Sequence, residues 1–181
     1  GNTGGLTWAA ASGGGADLFA ANESSPSAQP SATGANAIAI GDGAVAAGEK
    51  AVALSKSRAS GTNSFAAAIN NNASAYGATN TNTIAIGQYC KATASGAVAI
   101  GSTNSSTGDL TVCLGAGNET SATGGVSIGR DHWNPQADAI SMGRYTKPES
   151  SNSLVWSSGR FSAHGDAQSS TIIVRAATTN A

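Results

Sequence analysis

The four residues Val98-Ala99-Ile100-Gly101 decide the fold, because the same pattern returns at a fixed interval along the chain. We call each copy an anchor: a small residue between two apolar residues, closed by glycine or serine. Successive anchors begin fourteen residues apart, at Ile84, Val98, Val112, Val126, Ile140 and Leu154. An earlier pair begins at Ile38 and Val52, and a further copy is expected to begin at Ala66. The chain is therefore a repeat protein with one structural unit per fourteen residues.

A fourteen-residue repeat is too short for a helical hairpin and suits two short strands joined by two tight turns. Within each anchor the small and large residues alternate, which places them on opposite faces of a strand. Small and polar residues alternate in 90–96 and 120–124, and they indicate a second, weaker strand. The glycine that closes the anchor is expected at the sharp turn. The sequence predicts an all-β, parallel β-solenoid with fourteen-residue coils.

The interior of such a short coil is narrow and admits only Ala, Ser, Cys and Gly. The large apolar residues must then point outward and form a stripe along the solenoid. Burying one such side chain is worth about 1.5–3 kcal/mol, so the stripe marks an interaction surface, most simply with another copy of the chain. We call it the apolar stripe, and it consists of Ile38, Ile40, Val52, Leu54, Ile84, Ile86, Val98, Ile100, Val112, Leu114, Val126, Ile128, Ile140 and Met142.

The repeats divide the chain into three segments. Residues 1–34 contain no repeat, and their glycine clusters and prolines predict an extended N-terminal arm or, alternatively, a disordered leader. Residues 35–156 form the repeat domain, in which about four extra residues near 65–78 interrupt the spacing. Residues 157–181 contain the strand-forming run Thr171-Ile172-Ile173-Val174-Arg175, which is either a cap or the start of a following β domain.

Composition excludes several classes of function. Only 10% of the residues are charged and the net charge is −1, so the basic surface of a nucleic-acid-binding protein is missing. The sequence has no apolar run of eighteen residues and no N-terminal signal pattern, so no membrane insertion is predicted. The chain begins at Gly1 rather than Met, as expected of a processed or excised part of a longer chain. Cys90 and Cys113 are interpreted as small space-filling residues, and no metal site or cofactor is predicted.

The turns hold the candidate contact residues. Asp131-His132-Trp133 combines an aromatic ring with hydrogen-bonding groups, which is typical of sugar-binding sites; alternatively it is an exposed turn whose Trp packs on the adjacent coil. Tyr89 and Tyr145 occupy the equivalent turn in other coils. These five residues are the predicted receptor contacts.

Catalysis and ice binding are both disfavoured. Polysaccharide cleavage uses paired carboxylates, and the acidic residues here do not recur as close pairs at one coil position. His164 lies beside Asp166 without a candidate nucleophile at a motif spacing. Ice binding would place threonines in outward pairs on a flat face, whereas one outward row here is Ile and Val. A structural or adhesive protein is the class that remains.

The array resembles the head repeat of the YadA-like trimeric adhesins, in which an Ala-x-Ala-Ile-Gly-like motif recurs at about fourteen residues. The resemblance covers residues 35 to about 156 and implies a left-handed β-roll that forms a homotrimer. Ser55, which replaces an anchor glycine, and the insertion depart from the pattern. The C-terminal residues Gly165-Asp166-Ala167-Gln168, Ile173-Val174-Arg175 and Thr178-Thr179 are similar to a segment of bacteriophage tail-fibre and other virion proteins.

These resemblances imply a fibre or spike on a virion surface that displays turns or a tip for attachment to a host. Its expected partners are a host cell-surface glycan or protein and other virion proteins, the latter bound through the N-terminal arm or the C-terminal tail. The alternative is the head of a bacterial trimeric autotransporter adhesin, located at the cell surface and binding host matrix or cells.

Overall fold

The computed structural model describes residues 29–69 and 75–172. Most of the predicted arm, residues Asn70-Asn71-Asn72 of the insertion and the C-terminal residues 173–181 lie outside these ranges. All regular elements in the two ranges are β-strands, as the sequence predicts. Consequently, the described part of the chain has no helix that could cross a membrane.

The described ranges contain eighteen short strands. In chain order they are β1 (Ser31–Ala32), β2 (Ile38–Ile40), β3 (Val45–Ala46), β4 (Val52–Leu54), β5 (Arg58–Ala59), β6 (Phe65–Ala67), β7 (Gly77–Ala78), β8 (Ile84–Gln88), β9 (Lys91–Ala92), β10 (Val98–Ser102), β11 (Ser105–Ser106), β12 (Val112–Ala116), β13 (Glu119–Thr120), β14 (Val126–Arg130), β15 (Trp133–Asn134), β16 (Ile140–Arg144), β17 (Ser153–Ser157) and β18 (Ser169–Ile172).

The strands alternate between two sheets. The odd-numbered strands β1 to β15 form the minor sheet, and the even-numbered strands β2 to β16, followed by β17 and β18, form the major sheet. Strands of successive coils pair in parallel, so that Val98 of β10 aligns with Ile84 of β8 and Val112 of β12. The fold is a parallel β-solenoid of about nine coils, which confirms the predicted class.

The interior is narrow, but it also holds side chains larger than the predicted Ala, Ser, Cys and Gly, such as Thr120 and Val155. From β4 to β16 the middle residue of each anchor is fully buried, and all of these residues are Ala, Cys or Ser. The minor sheet faces them with small residues from Ala46 to Thr120, also fully buried. The large anchor residues point outward and are half buried or exposed in the single chain, for example Ile38 at 50% and Met142 at 43%.

The insertion differs in detail from the prediction. Phe65, not Ala66, begins the third anchor, because Phe65 aligns with Val52 only thirteen residues earlier. The turn after β4 is one residue shorter than in later coils, and Ser55 adopts a positive φ of 59° there. The next coil is correspondingly longer, since Phe65 aligns with Ile84 nineteen residues later. The first of these coils is one residue shorter than fourteen and the second is five residues longer. Together they account for the four extra residues between Val52 and Ile84.

The ends of the solenoid also differ from the predicted boundaries. The first paired strand, β1, begins at Ser31 and aligns with β3, ahead of the predicted start at residue 35. At the other end β17 continues the register to Ser157, which aligns with Gly143. β18 then turns back and pairs antiparallel with β17. This strand covers the edge of the major sheet, which is the arrangement expected of a cap.

The anchor glycines serve the stacking of coils rather than the turn. In β8 to β16 the strand runs through the glycine and ends one residue later, so the predicted turn position was wrong. The glycines still adopt positive φ, 126° at Gly101. A Cβ atom at Gly101 would overlap the carbonyl oxygen of Gly115 in the next coil. Only glycine therefore allows adjacent coils to approach to hydrogen-bonding distance here.

Replacing one stacked glycine should destabilise the solenoid. We expect Gly101→Ala to lower the free energy of unfolding by about 2 kcal/mol or more, because it adds backbone strain and a clash with Gly115. Gly159→Ala is the matched control, since a Cβ atom there meets no neighbour within 4 Å. Urea denaturation followed by circular dichroism measures both variants. Equal stability of the two variants would contradict this account of the glycines.

Candidate functional site

The predicted contact residues fall into two regions of the solenoid edge. Asp131 and Tyr145 occupy the same turn position in successive coils, whereas Tyr89 occupies it three coils before Asp131. The backbone φ at all three is positive, between 52° and 58°. With strands about 4.8 Å apart, three coils separate Tyr89 from Asp131 by about 14 Å. The structure therefore does not bring all five residues together.

His132 is not a surface residue, in contrast to the prediction of an exposed turn. Its side chain is only 1% exposed. Its Nδ1 accepts a hydrogen bond from the backbone N–H of Thr146 at 3.2 Å, and its Nε2 lies 3.1 Å from the carbonyl oxygen of Ile128. Because a backbone N–H only donates, Nδ1 carries no proton and Nε2–H donates to Ile128. The side chain thus holds two coils together and is not available to a receptor.

His132 completes a row of buried polar side chains that sequence reasoning missed. Asn104 Nδ2 donates to the carbonyl oxygens of Ile100 and Gly115, at 2.7 and 2.8 Å, and its Oδ1 accepts the N–H of Asn118. Asn118 repeats this pattern one coil later, and its Oδ1 accepts the N–H of His132 at 3.1 Å. We call Asn104, Asn118 and His132 the internal ladder. Its signal in the sequence is a polar residue recurring every fourteen positions.

The internal ladder requires a neutral histidine. Burial is the main cause that lowers the pKa of His132, and it outweighs the hydrogen bond to Ile128 and the nearby charge of Asp131, which raise it. A proton on Nδ1 would also point at the N–H of Thr146. Folding therefore disfavours the charged imidazole.

Trp133 and Tyr145 lie next to cations at the C-terminal end of the solenoid. Trp133 is 44% exposed, and the Nζ of Lys147 from the next coil lies 4.8 Å from the centre of its ring. Tyr145 has the guanidinium of Arg160 at 4.2 Å and that of Arg144 at 5.1 Å. These contacts support the interpretation that Trp133 packs on the adjacent coil while staying partly exposed.

The charged residues around Trp133 and Tyr145 are already partnered. Asp131 forms an exposed ion pair with Arg130, with 3.2 Å between Oδ2 and Nε. Asp166 accepts the backbone N–H groups of residues 161–163 at 2.6–2.9 Å, and these bonds lower its pKa to about 2. His164 packs edge-on against Tyr145, with ring centres 5.6 Å apart. Asp166 thus stabilises a loop and His164 contacts an aromatic ring.

Tyr89 lines a groove at the edge of the minor sheet. Its ring lies 5.4 Å from that of Tyr76, centre to centre, at an angle of 55°. The groove has a volume of about 360 Å³. We call it the tyrosine groove, and its lining residues are Tyr76, Tyr89, Lys91, Thr103, Asn104, Ser105 and Glu119. Of these residues only Tyr89 was among the predicted contacts.

The two cysteines are buried and form no disulfide, in keeping with small space-filling residues. Burial is the main cause that raises the pKa of both thiols. Across residues 29–69 and 75–172, no three His, Cys, Asp or Glu side chains lie close enough to hold a metal ion.

The internal ladder generates a pH prediction. Above the ordinary histidine pKa of about 6.5, His132 is neutral in both the folded and the unfolded chain. Below it, the unfolded chain takes up a proton that the folded chain resists, so stability should fall as pH drops towards the lowered pKa of His132. We expect the melting temperature to be lower at pH 5.0 than at pH 7.5.

His132→Asn tests this directly, because Asn104 and Asn118 already occupy the same position and an asparagine can continue the internal ladder. The variant should lose most of the pH dependence, as measured by thermal melting at the two pH values. His164→Asn removes the other histidine and should keep the dependence of the original chain. A similar pH dependence in the His132 variant would refute the assignment.

Comparison with known proteins finds a family match for two segments of the solenoid. Residues 32–54 and 78–104 match the family model of the YadA head domain repeat, in two copies. No curated protein matches the chain. Both matched segments lie within the solenoid, one on each side of the insertion, and each spans strands of both sheets. The chain therefore contains YadA head repeats within its parallel β-solenoid.

Proposed function

We propose that this protein is a non-enzymatic, homotrimeric adhesive shaft on a virion surface, where it displays turns or a tip for attachment to a host. The observation that carries the proposal is the apolar stripe on the outward face of the major sheet. A shaft of this kind needs a long surface for self-association and a second surface that remains open to a receptor.

The apolar stripe is longer and more continuous than the sequence indicates. Phe65 fills the break between Val52 and Ile84, with which it is in register. Leu154 and Trp156 extend the stripe beyond Ile140 and Met142. Trp156 is 53% exposed in the single chain. An exposed apolar surface running the length of a solenoid favours an equally long partner, and another copy of the chain provides one.

The number of subunits comes from the repeats. The matched segments resemble the heads of trimeric adhesins, so three stripes would meet on a common axis. The fourteen residues of the apolar stripe would then form the trimer interface, together with Phe65, Leu154 and Trp156. Their burial between subunits supplies the driving force, at roughly 25 cal/mol per Å² of apolar surface removed from water.

A structural role also agrees with what the acidic side chains do. Asp109 accepts the backbone N–H of Ser95 from the neighbouring coil at 3.0 Å. Glu49 and Glu149 form ion pairs with Lys50 and Lys147. Asp109 and Asp166 thus bond to backbone, Glu49, Asp131 and Glu149 pair with cations, and these carboxylates do not form the opposed pairs used in polysaccharide cleavage.

The virion setting rests on the similarity of the C-terminal residues from Gly165 onward to a segment of phage tail-fibre proteins. The second candidate is the head of a bacterial trimeric autotransporter adhesin, with which the match to the YadA head domain repeat agrees equally well. Both place the protein on an outer surface, and both use the same shaft.

The trimer is tested by molar mass in solution. Light scattering behind a sizing column should give three times the 17.5 kDa chain mass for the original protein. Ile128→Asp places a charge within the apolar stripe, at a side chain that is 40% exposed, and should shift the mass to that of a single chain. Ser121→Asp adds the same charge on an exposed turn away from the stripe and should remain trimeric. A monomeric original protein, or a trimeric Ile128 variant, would overturn the proposed interface.

The adhesive role and its setting need two further measurements. Fluorescently labelled trimer should bind to the surface of susceptible cells in a saturable manner, and the Ile128→Asp monomer should bind more weakly because it loses multivalency. An antibody raised against the trimer, followed by immunogold electron microscopy, should label virions. Labelling of bacterial cell surfaces without virions would favour the second candidate.

A further inference from the structure

We propose that the tyrosine groove binds an uncharged, hydroxyl-rich carbohydrate. The inference rests on the proposed function and deepens it, because it names the ligand class and the residues that would contact it. The tyrosine groove is partly open to solvent and lined about equally by polar and apolar surface, and its volume of about 360 Å³ is at the lower end of the range for small-molecule sites.

Two aromatic rings supply the apolar contact. Tyr76 lies in the insertion and Tyr89 follows it thirteen residues later, and their ring centres are 5.4 Å apart. Both residues are half buried, so part of each ring faces solvent. A tyrosine offers an apolar face and a hydroxyl at its tip, which suits a ligand whose ring carries C–H groups on one face and hydroxyls at its edge.

Charged and polar groups form the other wall. Lys91, Ser105 and Glu119 follow one another in register on β9, β11 and β13 and point outward from the minor sheet. With strands about 4.8 Å apart, the row spans about 10 Å from Lys91 to Glu119. Within the described residues neither the ammonium of Lys91 nor the carboxylate of Glu119 has a hydrogen-bond or ion-pair partner.

This combination of groups fits sugar hydroxyls. Each hydroxyl both donates and accepts, so the donor at Lys91, the acceptor at Glu119 and the hydroxyl of Ser105 can all be satisfied by one ligand. One positive and one negative charge leave the tyrosine groove without net charge. An acidic saccharide would meet the carboxylate of Glu119 without a surplus of cations, so the charges favour an uncharged ligand.

The floor of the tyrosine groove is held in place before any ligand binds. Asn104 belongs to the internal ladder, and its side-chain amide is bonded to Ile100, Gly115 and Asn118. The backbone N–H of Tyr89 donates to the carbonyl oxygen of Ile69 at 2.9 Å, and that of Lys91 donates to Asn104 at 2.9 Å. A rigid site loses little conformational entropy on binding.

The tyrosine groove also stays accessible in the proposed trimer. The apolar stripe occupies the outward face of the major sheet, whereas Lys91, Ser105 and Glu119 lie on the outward face of the minor sheet. The two outward faces of one coil point in opposite directions. Association through the stripe would therefore present three copies of the tyrosine groove to solvent, which increases avidity for a surface polysaccharide.

The test uses the trimer of the 181-residue chain and a microarray of defined uncharged and acidic oligosaccharides. We expect the trimer to bind uncharged members, and calorimetry with the best of them provides affinities. Tyr89→Ala should weaken binding about tenfold or more, as for loss of an aromatic anchor. Tyr89→Phe keeps the ring and should retain most of the affinity.

A charge-matched pair tests the polar wall. Glu119→Gln should weaken binding, whereas Glu49→Gln makes the same change of charge on an exposed turn outside the tyrosine groove and should not. Both are surface substitutions, and the melting temperature and trimeric mass of each variant establish that it is folded.

The outcomes separate this inference from the proposed function. Undiminished binding by both Tyr89→Ala and Glu119→Gln would overturn the tyrosine groove as the site, and a preference for acidic oligosaccharides would overturn the ligand class. Saturable attachment to cells without binding to any oligosaccharide would overturn the carbohydrate proposal and leave the adhesive function standing. A trimer that binds neither cells nor oligosaccharides would overturn both.

Discussion

The narrow interior of the coil is the constraint on which the rest of the structure depends. Two sheets approach so closely that most side chains between them are small, and from the middle of the solenoid onward these include hydroxyls and a thiol that bond to one another. Ser106 meets Thr111 at 2.7 Å, and Thr120 meets Ser127 at 2.8 Å. Such an interior buries little apolar surface, so the large apolar residues are left outside. The apolar stripe, and with it the proposed association, follows from this exclusion.

Stacking similar coils provides hydrogen-bond partners for the backbone N–H and C=O groups. It also means that each buried side chain needs a suitable partner at the aligned position of the next coil. The internal ladder shows the benefit, since each of its two asparagines donates to a carbonyl oxygen of its own coil and to one of the next coil. Ser141 shows the cost where the repeat ends. Its hydroxyl is the buried side-chain polar atom without a partner in the described ranges, and the residue aligned with it in the last coil is Val155. The solenoid is then closed by β18 rather than by another coil.

The outward faces of the two sheets differ in composition. We propose that one face associates with other subunits and that the other remains in contact with solvent. The major sheet is apolar along its length, whereas the minor sheet carries polar residues such as Lys91 and Glu119 beside aromatic rings. Turn residues are free of the packing constraint, since their side chains extend from the edge of the coil. This freedom explains how Tyr89, Thr103 and Asp131 can occupy one coil position with the same left-handed backbone.

The sequence by itself determined the period, the class of fold, the inward rows and the outward stripe. In a narrow coil the small residue of each anchor must face inward and the large residues must face outward. It did not determine that Phe65 begins an anchor, since the thirteen-residue coil before it can be seen only from strand pairing. It also did not determine that His132 is buried while Trp133 is exposed, because that depends on which residues of a turn face the interior. The tyrosine groove joins Tyr76 and Tyr89, thirteen residues apart, with side chains from the two following coils. Only the tertiary structure decided this grouping, because stacking brings together residues that the sequence separates by whole coils.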